Sequence, residues 1–155
     1  MILILTNSRD ATADFLMPHL DEASVEHVRL DTDRLIQELA FSYASNTASF
    51  TFQGRKYHPS DFKAVWYRRP ERLCSGSSKD LGEESYSLNE WSEALEGFLA
   101  VIPKHRWMNH PSAISSASHK LEQLTTAVRI GLNIPSTLVT QDPDGTIRLF
   151  WITSG

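Results

Sequence analysis

The chain opens on a continuous apolar run, Ile2 to Leu5, in which both alternating sets of positions are hydrophobic. A strand with one wet face would alternate, so this run predicts a strand covered on both sides. A polar turn from Thr6 to Asp10 follows. Phe15, Leu16 and Leu20 then form the inner side of a predicted helix that Asp10 or Ser8 can cap, and Pro18 is expected to kink or shorten it. Val25 to Leu30 reads as a second strand, and Asp31 to Leu39 as a short helical segment at most. The opening is strand, helix, strand.

Further on, Ala40 to Tyr43 and Ser49 to Phe52 alternate aromatic and small residues on either side of Ser45-Asn46-Thr47, the pattern of an antiparallel hairpin that Gly54 breaks. A turn around His58-Pro59 leads to a strand from Val65 to Tyr67, and the serine- and glycine-rich stretch from Cys74 to Gly82 reads as a surface loop. Leu88, Trp91, Leu95, Phe98, Leu99 and Ile102 recur at three- and four-residue spacings, which predicts one long amphipathic helix ended by Pro103. Arg106 to Met108 is a short strand, Ser118 to Ile130 a second long helix with Gly131 as its cap, and Leu138 to Thr140 a last strand. The ending has two readings: a helix begun by Asp142-Pro143, which the stripe Ile147, Phe150, Trp151 favours, or a hairpin turned by Asp144-Gly145. Together these elements predict an α/β domain with a mainly parallel sheet flanked by helices and a small antiparallel hairpin.

At 155 residues with 41% hydrophobic composition, the chain is long and apolar enough to bury a core, which excludes a disordered tail. A net charge of -4 argues against a nucleic-acid-gripping surface, and the single cysteine, Cys74, excludes an internal disulfide framework. No apolar run is long enough to span a bilayer, and the first strand is too short for a signal peptide, so a cytoplasmic location is expected. Large apolar residues continue to Phe150 and Trp151 near the terminus, which reads as a piece of a longer protein.

Several chemistries find no support in the motifs. The first turn holds no glycine, against the Gly-x-Gly-x-x-Gly of a dinucleotide site, so Asp31 and Asp33 read as a helix cap or solvated turn. The six histidines lack metal-site spacing, and Ser115, Ser116 and Ser118 lack a nucleophile elbow. No catalytic or metal-binding residue is assigned.

Two places do carry chemistry. Arg68 and Arg69 follow the strand Val65-Trp66-Tyr67 and precede Pro70, where groups beyond a strand's carboxyl end face the usual ligand crevice. Their guanidiniums suit carboxylates or phosphates, although Glu71 and Arg72 could satisfy them internally. Further on, a strand ends in Asn109, a small-residue turn follows, and Lys120 stands at the start of a helix, where it opposes the helix dipole. A bound phosphate would offset that cost; a plain pairing of Lys120 with Glu122 is the alternative.

The blocks Val65-Trp66-Tyr67-Arg68-Arg69-Pro70, Trp107-Met108-Asn109-His110-Pro111, Lys120-Leu121-Glu122-Gln123-Leu124 and Gly131-Leu132-Asn133-Ile134-Pro135, continuing to Thr140, occur in the order and spacing of a known family. The chain resembles the amino-terminal, pre-ATP-grasp region of microviridin-type ATP-grasp ribosomal peptide maturases, relatives of the ribosomal-protein glutamate ligases. The resemblance covers essentially the whole chain. It implies a Rossmann-like pre-ATP-grasp domain over residues 1–141 and, over 142–155, the start of a connection to an ATP-grasp domain missing here. In such ligases ATP and magnesium convert a peptide carboxylate to an acyl phosphate, which an amine or hydroxyl attacks to crosslink the precursor peptide. By resemblance Arg68, Arg69 and Asn109 are substrate-binding and Lys120 contacts the ATP phosphates. The lid and metal-bearing core of the family are absent from this chain, so by itself it is expected to bind no cofactor and to be inactive. The competing expectation is a standalone α/β interaction module without catalysis, its aromatics covered by a partner such as a second copy in a homodimer.

Overall fold

The computed structural model describes residues 1–71 and 81–142, with the side chains of Gln37, Leu81 and Glu84 excepted. Two compact units emerge, Met1–His110 and the stretch from Pro111 onward.

In the first unit the order is β1 (Ile2–Thr6), α1 (Ala11–Glu22), β2 (His27–Asp31), α2 (Leu35–Glu38), β3 (Leu39–Ala44), β4 (Thr47–Phe52), β5 (Arg55–Tyr57), β6 (Ala64–Tyr67), α3 (Leu81–Ala100) and β7 (Trp107–Met108). β2, β1, β6 and β7 form a wholly parallel sheet in that order. β1 lies between β2 and β6, pairing Leu3 with Val28 and Val65, and Leu5 with Leu30 and Tyr67. Leu3, Ile4, Leu5 and Thr6 are all buried, so the unbroken apolar run does mark a strand covered on both faces.

The second sheet is antiparallel, in the order β3, β4, β5. The predicted hairpin is present, turned at Ser45 and Asn46, whose φ values of 51° and 59° are those of a tight two-residue hairpin loop. Gly54 does not end the structure, as its composition had implied. Gln53 and Gly54, at φ of 49° and 77°, turn the chain again and bring back β5 as a third strand. Phe50 sits at the centre of the core, with ring centroids 5.0 Å from both Tyr57 and Phe98 and 5.9 Å from Phe62. The stripe on α3 supplies Phe98 and Leu99 to that core and packs Trp91 and Leu95 against it.

Helix α1 departs from expectation in two respects. Its buried contact is Ala13, with Leu16, Met17 and Leu20 half-buried, whereas Phe15 is 72% exposed. The inward stripe is thus i, i+3, i+4, i+7 from Ala13, and Phe15 falls on the opposite side of the helix. Pro18 lies on the exposed face and the helix runs on to Glu22.

The second unit contains α4 (Pro111–Ala117) and α5 (Lys120–Arg129). The turn expected after Pro111 is a helix, since proline is well suited to a first helical position. Gly131, at φ of 81°, follows α5, and its amide and that of Leu132 close onto the carbonyls of Val128 and Ala127 as the predicted cap requires. Leu138 to Thr140 is not a strand: it is exposed, irregular chain with no pairing partner among the described residues. The alternative readings of the ending, and the loop from Cys74 up to residue 80, lie outside the described residues. Among the described residues no helix is long and apolar enough to cross a membrane.

Candidate functional site

From β1 the chain passes through α1 to β2 on one side, and later returns as β6 on the other. The direction of winding therefore reverses between β1 and β6, and the carboxyl ends of those two strands diverge into a crevice. A cleft of about 560 Å³ lies there, lined by Asn7, Arg9, Asp10 and Thr12 from the turn into α1 and by Arg69 and Glu71 beyond β6.

Side-chain bonds to distant elements hold this turn. Asn7 donates through Nδ2 to the Arg69 carbonyl at 2.8 Å and accepts from the Arg9 amide at 3.0 Å, while its own carbonyl receives Arg29 at 2.9 Å. The amide and hydroxyl of Ser8 donate to the two carboxylate oxygens of Asp33 at 2.9 and 2.5 Å. Thr32, buried, accepts from the Glu71 amide at 2.8 Å and so ties the far wall to the end of β2. Asp33 is therefore a brace for the turn, and Asp31 receives Arg29 at 2.7 Å.

Asp10 caps α1: its Oδ1 accepts from the amides of Thr12 and Ala13 at 3.0 and 3.4 Å, and its Oδ2 from the Thr6 hydroxyl at 2.6 Å. Burial alone would push this carboxyl up. The bonds from Thr6, Ala13 and Thr12, with the Arg68 guanidinium beside it, outweigh burial and hold it below the usual carboxylate range. Burial likewise opposes ionisation of Asp33, and the hydroxyl and amide of Ser8, its own amide and the charge of Arg34 lower it in the same way.

The two predicted arginines diverge. Arg68 turns to α1, with Nη2 donating to Thr12 Oγ1 at 3.3 Å and a buried Nε lying 3.8 Å from Asp10 Oδ2 without a hydrogen bond. Arg69 is exposed and lines the cleft, and its guanidinium has no ion-pair or hydrogen-bond partner among the described residues. Glu71 pairs with neither; both its carboxylate oxygens lie 3.2 Å from Arg9 Nη2. Arg72 lies outside the described residues.

Asn109 follows β7, exposed, at the same carboxyl edge of the parallel sheet. Lys120, in the second unit, is the first residue of α5 and reaches Gln123 Oε1 at 3.4 Å. Its suggested partner Glu122 instead faces His119 at 3.5 Å. His119 precedes the helix and makes no side-chain capping bond. Among the described residues no group of three or more histidine, cysteine or acidic side chains is placed to hold a metal ion.

Asn7, Arg9 and Thr12 escaped the sequence reading. The rule that picked out Arg68 and Arg69 at the end of β6 applies equally to β1, and would have marked the turn from Thr6 onward.

Residues 1–115 match the family described as the MvdD pre-ATP grasp domain. None of the curated proteins matches the sequence. Among solved structures the chain is similar to the macrocyclase MdnB from Microcystis aeruginosa MRC, at 27% identity and a TM-score of 0.85, over 99% of this chain and 52% of that one. It is similar to the macrocyclase MdnC of the same organism, solved with its precursor peptide MdnA, at 26% identity and a TM-score of 0.83, over 99% of this chain and 50% of that one. A RiPP-associated ATP-grasp ligase from Chryseobacterium gregarium, in complex with ADP and a leader and core peptide, shares 27% identity at a TM-score of 0.79, over 97% of this chain and 47% of that one. The chain spans about half the length of the solved structures it matches.

Proposed function

The chain belongs to the MvdD-type pre-ATP-grasp domain family, and from that premise we propose that it is the pre-ATP-grasp part of an ATP-dependent carboxylate–amine or carboxylate–alcohol ligase that crosslinks a ribosomally made precursor peptide. What supports this most is the likeness, along nearly the whole chain, to macrocyclases and to a ligase held with ADP and peptide. On this reading residues 1–141 form the pre-ATP-grasp domain and residues 142–155 begin the connection to an ATP-grasp domain, without which the chain is inactive.

Lys120 is the residue of this chain assigned to the nucleotide. It stands on the first turn of a ten-residue helix whose leading amides receive no capping side chain, a setting that favours a phosphate group. Bound ATP, with magnesium held by the ATP-grasp half, supplies the phosphoryl group that activates a peptide carboxylate for attack by an amine or hydroxyl. Arg68, Arg69 and Asn109 hold the peptide, with Arg69 the cation most available to it.

The test uses the protein encoded by the whole open reading frame. Its ADP formation should rise on addition of the precursor peptide, and Lys120→Ala should raise the KM for ATP while the peptide KM holds. Absence of peptide-stimulated ADP formation would sink the reading. It would favour instead a standalone interaction module, for which the exposed Leu121, Val128, Ile130 and Leu132 of the second unit offer an apolar surface.

A further inference from the structure

We infer that the cleft between the β1–α1 turn and the end of β6 is a carboxylate site that takes one acidic side chain of a bound peptide, with Arg69 as the cation that meets it. The peptide as carrier rests on the ligase reading above; the choice of a carboxylate comes from the cleft itself.

Charge selects the ligand class. Of the two carboxylates that line the cleft, Glu71 is paired with Arg9 and Asp10 lies against Arg68, which leaves Arg69 as the lining cation in excess. One carboxylate neutralises that excess. A phosphate dianion would overshoot it while facing two fixed carboxylates. The backbone donors that would hold a phosphate are also committed, because the first amides of α1 already bond to Asp10.

Geometry selects Arg69. Its backbone carbonyl is anchored by Asn7 at 2.8 Å, so the side chain projects from a fixed point, and its fork of donors matches the two oxygens of a carboxylate. The cleft already shows the same chemistry once, since Glu71 presents both oxygens to Arg9. That pair is exposed, with side chains 79% and 43% accessible, so it is weakly held. Glu71 therefore competes with an incoming carboxylate for the cations of the cleft.

The test is an amide-resolved NMR titration of the 155-residue chain, which needs neither ATP nor turnover. The probes are a short peptide with blocked ends and one glutamate, its glutamine counterpart, a glutamate-free peptide with a free carboxyl terminus, and inorganic phosphate at matched ionic strength. Saturable shifts at Asn7, Thr12 and Arg69 are expected with the glutamate peptide and none with its glutamine counterpart. Arg69→Ala should weaken binding about tenfold, Arg69→Lys less, and Glu71→Gln should tighten it about threefold by removing the competitor. Equal binding of the glutamine peptide, tighter binding of phosphate or of the free terminus, or an unchanged affinity in Arg69→Ala would each overturn the inference. Failure here with peptide-stimulated ADP formation intact would remove the carboxylate site alone; the converse result would remove the ligase reading alone.

Discussion

Helix α1 begins behind Asp10, a buried acid that accepts two of the helix's own leading amides and pairs with Arg68. Helix α5 begins behind His119, which contributes no capping bond, and its first residue is the cation Lys120. The helix with the acidic cap is satisfied from within and acts as a wall of the cleft. The other has no side-chain cap and carries charges of opposite sign, Lys120 and Glu122, in its first turn, of which the lysine opposes the helix dipole. The units that hold these helices differ in the same sense. Among the described residues every buried hydrophobic one lies in Met1–His110, whereas from Pro111 to Asp142 none is buried, and Leu121, Val128, Ile130, Leu132 and Val139 face solvent. The capped helix start belongs to a unit with its own buried core; the uncapped one belongs to a stretch whose described residues bury no hydrophobic side chain.

The harshest way to test that contrast is to remove the core of the first unit. Phe50→Ala deletes a side chain 1% exposed that packs against four other rings, and should lower stability by about 3–5 kcal/mol in a denaturant titration. Leu121→Ala in the second unit, at 63% exposure, serves as its control and should change the midpoint little. A loss of similar size in both would break the contrast.

A smaller effect is expected at the α1 cap. Asp10→Ala should cost about 1–3 kcal/mol, from the lost cap and from Arg68 left without its counter-charge. The same carboxyl gives a pH signature. Asp10 and Asp33 both have folded pKa values below the ordinary 3.8, so their contribution is fully present above that value and is lost as pH falls through the folded values. Thermal denaturation between neutral and strongly acid pH should show this loss, reduced in Asp10→Asn; an identical acid limb would count against the cap.

The smallest effect has the opposite sign. Lys120→Glu places an acid at the start of α5 and should stabilise that helix by about 0.3–1 kcal/mol, read from local amide exchange at low salt. The same substitution should abolish nucleotide binding in the protein of the whole open reading frame. Destabilisation of α5 would show that Lys120 is structurally useful where it stands, and would blur the difference between the two helix starts.

Much of this fold was legible because local rules decide it. The two-sided apolar run of β1, the α3 stripe from Leu88 to Ile102 and the glycine after α5 each carry their meaning within a few residues. Arg68 and Arg69 were legible as residues at the carboxyl end of a strand, because they follow Val65 to Tyr67. The sequence could not say that one would turn to Asp10 and the other into the cleft. Nor could it say that Glu71 would choose Arg9, or that Asn7 would reach the Arg69 carbonyl, since each pair is separated by 62 residues and meets only when the parallel sheet closes. Phe15 failed for a related reason: hydrophobicity names a candidate for burial, but the phase of α1, which starts at the Asp10 cap and buries Ala13, decides which side faces in. Periodicity and capping are properties of neighbouring residues, and so the chain alone determined β1, the β3–β4 hairpin, α3 and the end of α5, though not β5, α4 or the irregular course of Leu138 to Thr140. The cleft, and an arginine in it whose side chain has no partner among the described residues, are properties of residues brought together from β1 and β6, which only the tertiary structure could decide.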